Sequence, residues 1–418
     1  MKSIGPIAYL TGEYPRATDT FIQREVAALR AQGLTVLTCS IRETGQEHLV
    51  GEEQKSEAAR TFYVVKAARR FGYLAGCHLR TVIHRPGRYF SALGLALRTR
   101  SPGAKATLFQ LFYFIEAIVL ADHLLRNRIR HLHNHIAKSS CTVAMLASRA
   151  SGIPYSFTLH GPDIFFEPER WRLDAKISEA AFVACISHFC RSQAMAFSRE
   201  ADWSKLHIVH CGVEPARYRS QETNRDANQI LFVGRLAGVK GLPVLLETMA
   251  DLHKDYPDLR LVLIGDGPDR ASLELQTERF GISSVVDFVG YKSQGDVAQA
   301  LLECEALVLP SFAEGVPVVL MEAMAAGLPV ITSRIAGIPE LVEDGVSGLL
   351  TPPGDAASLK SALLRIISDD DLRARLGEAG RAKVNQEFNV SREAEWLLQI
   401  LSAYNNSEER PGLRPDQG

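Results

Sequence analysis

The residues most able to do chemistry lie between Pro310 and Val330, in PSFAEGVPVVLMEAMAAGLPV. A strand is expected to end at Leu309. Gly315 and Pro317 follow, then an apolar helix that Gly327 stops and Pro329 keeps from resuming. Proline near the first helical position and glycine just past the last is the usual asymmetry. The free amides at such a helix start favour an anion such as a diphosphate. Glu314 precedes the helix, and Glu322 lies about 7.5 Å further along its axis than Pro317, at 1.5 Å per residue. Two carboxylates so placed can each accept hydrogen bonds from a pair of hydroxyls, one sugar on either side of a diphosphate. The plainer alternative makes Glu314 a cap and puts Glu322 on a solvated face. A second segment, Gly234-Arg235-Leu236-Ala237-Gly238-Val239-Lys240-Gly241, follows the expected strand Ile230–Val233. Its arginine can clamp two phosphate oxygens and its lysine can act as a point charge. It lacks the Gly-Lys-Ser/Thr of a P-loop, and taken alone it reads equally well as a solvated turn.

Other clusters carry less. His131, His133 and His135 alternate, so a strand would put them on one face. They could bind zinc, shape the end of a strand at a ligand site, or be structural. Gly265-Asp266-Gly267-Pro268-Asp269-Arg270 imitates a dinucleotide fingerprint, but Arg270 replaces its third glycine. Cys185 and Cys190 have the wrong spacing for zinc and read as small buried residues.

These motifs need a scaffold that brings loops together. Short β-rich runs alternate with helical patterns, as parallel α/β sheets require. Strands are expected at Ile4–Leu10, Leu34–Ser40, Ile129–Asn134, Pro154–Leu159, Ala181–Ile186 and Leu206–His210. A polar stretch, Ser220–Asn228, reads as a linker. The pattern restarts at Ile230–Val233, Arg260–Ile264, Val285–Val289, Ala306–Leu309, Pro329–Thr332 and Gly348–Leu350. The expected fold is α/β: two Rossmann-like, doubly wound parallel-sheet domains facing across a cleft, at 1–219 and 220–388. A helix at 389–404 is expected to pack back on the first domain, and 405–418 to be a disordered tail. At 418 residues, 46% hydrophobic and 23% charged, the chain has an ordinary globular composition, which excludes disorder, collagen and coiled coil. Seven cysteines without a C-x-x-C pair argue for a reducing compartment. No leader is expected in Met1 to Arg16.

Taken together, these residues resemble the retaining glycosyltransferases of family 4, which have the GT-B fold. The resemblance rests on Glu314-x7-Glu322 in its EG-x-P setting, GRL…KG, IGDGP at Ile264–Pro268, FVGY at Phe288–Tyr291 and AGIPELVEDGVSGLLTPPGD at Ala336–Asp355. In the first half it rests on His133-Asn134-His135, Thr158–Asp163 and His210–Glu214. The opening EYPRATDTFIQREV is most similar to members that build bacterial exopolysaccharides of the colanic-acid type. The resemblance implies that Arg235 and Lys240 hold the donor diphosphate, Glu322 the ribose diol and Glu314 the transferred sugar. Gly315, Val316, Pro317 and Val318 would cradle phosphate and sugar, and Gly265, Gly290 and Tyr291 would lie near the base. His160 would sit at the reacting sugar and acceptor. Gly12, His133, His135 and Asp163 would border the acceptor, although Thr11-Gly12-Glu13-Tyr14-Pro15 stands where relatives often carry Gly-Gly. The implied activity is hexose transfer with retention from a UDP- or GDP-sugar to a saccharide or lipid-linked saccharide, with no metal or other cofactor. The alternatives are a nucleotide-sugar 2-epimerase of the same fold and a non-catalytic nucleotide-sugar binder.

Charge adds one expectation. Residues 60–130 hold 13 Lys and Arg against Glu116 and Asp122, a net +11 that leaves -12 elsewhere. Mixed with Phe71, Tyr73, Leu74, Tyr89, Phe90, Leu93 and Leu97, they suggest a surface that meets an anionic membrane, or a set of solvated helix faces. The location expected is cytoplasmic, with peripheral contact at the inner face of the cytoplasmic membrane. No nucleic-acid module accompanies the charge. The run Ala106 to Leu125, with Glu116 and Asp122 inside it, reads as a buried or interface-facing helix rather than a membrane span.

Overall fold

The computed structural model describes residues 4–16, 19–49, 51–161, 165–218, 228–406 and 408–415. It comprises two compact units, one of residues up to His210 together with Ser391–Asp416, the other Cys211–Val390.

The first unit is built on seven parallel strands: β1 (Ile7–Glu13), β2 (Val36–Arg42), β3 (Phe62–Tyr63), β4 (His131–His135), β5 (Tyr155–Leu159), β6 (Val183–Cys185) and β7 (Leu206–Ile208). Their order is β3-β2-β1-β4-β5-β6-β7. The second has six: β8 (Gln229–Val233), β9 (Arg260–Ile264), β10 (Val286–Gly290), β11 (Ala306–Leu309), β12 (Val330–Ser333) and β13 (Leu349–Thr351), in the order β10-β9-β8-β11-β12-β13. Every strand expected from the sequence forms, with ends displaced by no more than three residues. Central strands such as Tyr155–Leu159 and Ala306–Leu309 are buried at every residue, because helices cover both faces of a parallel sheet. Only β3 went unforeseen, since a two-residue edge strand carries no periodicity. Each sheet reverses its winding once, between β1 and β4 and between β8 and β11, and loops at such switch points form ligand crevices.

The last helix, Val390–Asn406, returns to the first unit. Ala394, Trp396, Leu397, Ile400 and Leu401 join Ile7, Tyr9, Val26 and Phe182 in one core cluster. Two boundaries need correction. The change of unit falls at 210/211 rather than 219/220, because Val213 donates to Phe388 O (2.9 Å) and accepts from Val390 N (2.9 Å). The expected linker lies outside the described residues except for Asn228. The expected disordered tail is ordered over 408–415: Leu413 O accepts from Ile208 N, and Arg414 pairs with the buried Glu393 at 2.5 Å. A buried carboxylate needs such a partner.

The helix Ala104–Arg126 is long and apolar enough to cross a membrane by length and composition. Its second half, from Phe114 to Leu124, packs into the first unit's core. Asp122 is held there by Arg80 at 2.8 Å and Arg126 at 2.9 Å, and burial raises Glu116 to about 7. The first half is different: Leu108, Phe109, Leu111 and Phe112 stand exposed.

Candidate functional site

In the second unit, the loops that leave β8 and β11 are joined directly. Phe312 N donates to Val239 O at 2.7 Å. Gly241, at φ +66°, lies so close that a Cβ would sit 2.0 Å from Pro310 O. Gly265, at φ +136°, is equally tight, with an added Cβ 2.0 Å from Gly234 O. Only glycine fits at both. This packing places Lys240 Nζ 2.5 Å from Glu314 Oε1, which also accepts from Ser311 Oγ at 2.7 Å. Glu322 lies on the helix Val318–Ala325, and its Oε1 accepts from Tyr218 OH at 2.9 Å. Both carboxylates are only 9% exposed, so neither a surface cap nor a solvated face describes them. Charges at that depth need partners or a ligand.

Arg235 is exposed on the β8 loop and makes no ion pair among the described residues. Gly290 O accepts from Gly265 N at 2.9 Å, and the next residue, Tyr291, is 71% exposed. Gly315 O accepts from Gly337 N at 3.2 Å, Val316 and Pro317 are buried, and Val318 is the first residue of the helix. Arg270, which breaks the dinucleotide fingerprint, clamps Asp266 (3.3 Å), Glu274 (2.8 Å) and the carbonyl of Phe288 (3.1 Å).

In the first unit, the β1/β4 switch point carries a chain of polar side chains. Tyr9 OH donates to Glu25 Oε1 at 2.5 Å, the same oxygen lies 3.1 Å from His135 Nε2, and His135 Nδ1 lies 2.8 Å from His160 Nε2. Phe21 packs against His160, with ring centroids 4.6 Å apart. Burial would raise Glu25, but His135, His133 and the Tyr9 hydroxyl outweigh it and hold its carboxyl at about 2. Burial and the neighbouring His135 push His160 well below the usual imidazole range, so it is neutral at physiological pH. His133 is bound to Ser156 Oγ (2.7 Å) and Thr158 Oγ1 (2.9 Å), and His131 to the same Ser156 (2.7 Å) and to Asn405 (3.2 Å).

His133 and His135 are fully buried and every ring nitrogen of both is taken by the hydrogen bonds above, so direct acceptor contact by these two is corrected on that ground, and the partly exposed His160 is the one of the three that can meet a ligand. Gly12 is the last residue but one of β1, partly exposed, and its carbonyl accepts from Ser40 Oγ at 3.4 Å. Asp163 lies outside the described residues. Glu25, His133 and His135 bring ligand atoms within 4.8 Å of one another, close enough for a metal ion. All three are already engaged by the hydrogen bonds above.

Sequence reasoning missed Glu25, Tyr9, Ser311 and Tyr218. The i, i+4 and strand patterns that mark a core face cannot single out a polar residue by its partner, whether that partner is 110 positions away as for Glu25 and His135, 104 as for Tyr218 and Glu322, or three as for Ser311 and Glu314. One faint signal existed, since Glu25 sits among the apolar positions Ile22, Val26 and Leu29 of one helix.

The family model for glycosyl transferases group 1 matches residues 215–383, and that for Glycosyltransferase Family 4 matches residues 61–217. The chain is 33% identical over 254 residues to the amylovoran biosynthesis glycosyltransferase AmsK of Erwinia amylovora, covering 58% of this chain and 62% of AmsK. It is 30% identical over 275 residues to the uncharacterized glycosyltransferase MJ1178 of Methanocaldococcus jannaschii, covering 64% of this chain and 74% of MJ1178. The match thus spans less than two thirds of the amylovoran protein's own length. Anabaena Alr3699/HepE, solved in complex with UDP-glucose, has the same fold, with a TM-score of 0.69 at 18% identity over 95% of this chain and 99% of HepE. Both halves of the chain therefore carry glycosyltransferase domains, and the protein belongs to glycosyltransferase family 4, with the GT-B fold.

Proposed function

We propose that the protein transfers a hexose, with retention, from a UDP- or GDP-sugar to a saccharide or lipid-linked saccharide during synthesis of an exopolysaccharide or other cell-surface polysaccharide. The observation that carries this reading is the buried Lys240–Glu314 pair at the β8/β11 switch point, with Glu322 on the adjoining helix. Transfer from a nucleotide sugar builds negative charge on the leaving diphosphate and positive charge on the sugar. Arg235, Lys240 and the first amides of the helix Val318–Ala325 stabilise the former, held in place before reaction. Glu314 uses Oε1 for Lys240 and Ser311, which leaves Oε2 to accept from sugar hydroxyls. Glu322, steadied by Tyr218, takes the hydroxyls of the ribose. Cations already supplied by the chain make a metal unnecessary; transfer should persist in EDTA. The exopolysaccharide assignment is supported by AmsK, and the UDP-sugar by the ligand of HepE.

In the first unit, ionised Glu25 faces His135 Nε2, and His135 Nδ1 faces His160 Nε2. His160, partly exposed at the end of this chain, is the imidazole that meets a hydroxyl of the acceptor or the reacting sugar. Glu25 and His135 are positioning residues for His160. Exposed Phe71, Leu79, Ile83, Phe90 and Leu97, set among the arginines of residues 60–130, support peripheral attachment to an anionic membrane. Such binding weakens as salt shortens the Debye length from about 10 Å at 0.1 M.

Protection against thermal unfolding by a panel of UDP-, GDP- and ADP-sugars tests the donor assignment. Ligand at 100 times its Kd adds about 2.7 kcal/mol. Incubating the protective donor without acceptor separates the rivals: a new sugar nucleotide means epimerisation, and no turnover with any acceptor extract means a binding protein.

A further inference from the structure

A cavity of about 850 Å³ lies within the first unit, away from the Glu25–His160 chain, and no sequence motif pointed to it. Five cations line it, Arg100, Lys105, Arg170, Arg172 and Lys176, against a single acid, Glu169. Arg170 and Arg172 are paired with Glu167 and Asp174. Arg100, Lys105 and Lys176 make no ion pair among the described residues. Lys176 is fully buried, and its ammonium is held by the carbonyls of Ala137 (2.7 Å) and Lys138 (2.8 Å), just beyond the end of β4. Burial lowers it to about 8, so it still carries its charge near neutral pH, and an anion beside it would raise it again. Trp171 also lines the cavity, with Arg170 and Lys176 over its ring at 5.2 and 5.6 Å. Its indole Nε1 is buried and has no hydrogen-bond acceptor. A buried, unsatisfied N–H is destabilising, and an acceptor oxygen from a ligand would satisfy it. Donors and positive charge together describe a phosphate site. The rim adds a second chemistry: Phe109 lines the cavity and is 48% exposed, beside exposed Leu108, Leu111 and Phe112.

We propose that this cavity binds the phosphate or diphosphate of an acceptor carried on an apolar chain, the anion meeting Arg100, Lys105, Lys176 and the Trp171 N–H, and the chain lying on Phe109 and its exposed neighbours. The proposal deepens the reading of a lipid-linked acceptor and rests on it. Lys176, in the cavity's lining, is bonded to the loop that follows β4, the strand that ends in His135, which ties that wall to the carboxyl edge where ligands of such sheets bind.

Calorimetric titration with farnesyl diphosphate, inorganic pyrophosphate and farnesol, each with UDP saturating, tests it; saturating UDP keeps pyrophosphate out of the donor site. The expected result is farnesyl diphosphate binding at least about tenfold tighter than either fragment. The paired change Arg100→Ala and Lys105→Ala, both on exposed residues, should weaken it about tenfold or more, and Trp171→Phe, which keeps the ring, by about three- to tenfold. Equal affinity for pyrophosphate and farnesyl diphosphate would overturn the apolar-chain part. Unchanged affinity in both variants would overturn the site. Thermal protection by UDP-glucose, measured on the same samples, reports the donor reading separately, so failure of one leaves the other standing or falling by its own assay.

Discussion

The two units share one architecture, a parallel sheet with a single switch point, yet they build their sites from opposite materials. The second unit uses glycine turns and an ion pair, Lys240 with the buried Glu314, between the loops that leave β8 and β11. The first buries a chain of imidazoles behind one carboxylate, Tyr9–Glu25–His135–His160. Eleven of the twelve histidines lie in the first unit and only His253 in the second. The same scaffold thus supports a site built on an ion pair and a site whose protonation state is set by burial. The difference teaches that the fold supplies the crevice, while burial decides which chemistry it can host.

The comparison can be broken most sharply at Lys240. Lys240→Ala should lower the transfer rate on the order of 10²–10³-fold, as removal of a preorganised donor to a leaving anion does, while leaving unfolding of the first unit unchanged. A fall below tenfold in a steady-state assay would remove the lysine from that role. Next comes the imidazole chain. His160→Ala should cost about 10²-fold in kcat, and Glu25→Gln about tenfold with donor KM unchanged. The pH profile gives the mechanism away: activity needs neutral His160, so it falls as pH drops through that group's pKa. Glu25 raises the value electrostatically, and its loss should move the acid limb to lower pH.

A third effect is on stability. Burial pulls His131 and His123 down to about 4, and pushes His133 and His160 well below the usual imidazole range. An unfolded histidine titrates near 6.5, at the ordinary value. On acidification the unfolded chain therefore binds these protons first. Stability is complete above about pH 6.5 and is lost toward pH 4, at ~1.4 kcal/mol per pH unit for each proton. Trp171, Trp203 and Trp396 all belong to the first unit, so urea unfolding followed by tryptophan fluorescence should show its midpoint falling between pH 7 and pH 5. A midpoint flat over that range would contradict the buried, neutral imidazoles. The smallest effect is Tyr218→Phe, which removes one hydrogen bond to Glu322 and should raise donor KM about three- to tenfold with kcat little changed.

Much of this was legible in the sequence because it rests on short-range rules. β-rich runs placed the strands, and Gly315, Pro317, Gly327 and Pro329 framed the helix that carries Glu322. Loops after β8 and β11 had to converge once the sheet order was doubly wound. What the sequence hid depends on long-range contact. Tyr218 reaches Glu322 across 104 positions, and Glu25 reaches His135 across 110. The tail's Arg414 docks on Glu393 because a buried carboxylate needs a partner, a demand invisible until burial is known. The alternating histidines were placed on one strand, but their burial, which moves ligand contact to His160, came only from packing.

Titration of UDP-glucose and GDP-glucose into the wild-type protein and Glu322→Ala, followed by calorimetry, tests the donor site most directly. One of the two sugars should saturate the wild-type protein and bind the variant at least about tenfold more weakly, the expected loss of hydrogen bonds to a charged group. Equal binding to both proteins, or no binding of either sugar to the wild type, would contradict a nucleotide-sugar site built on the second unit.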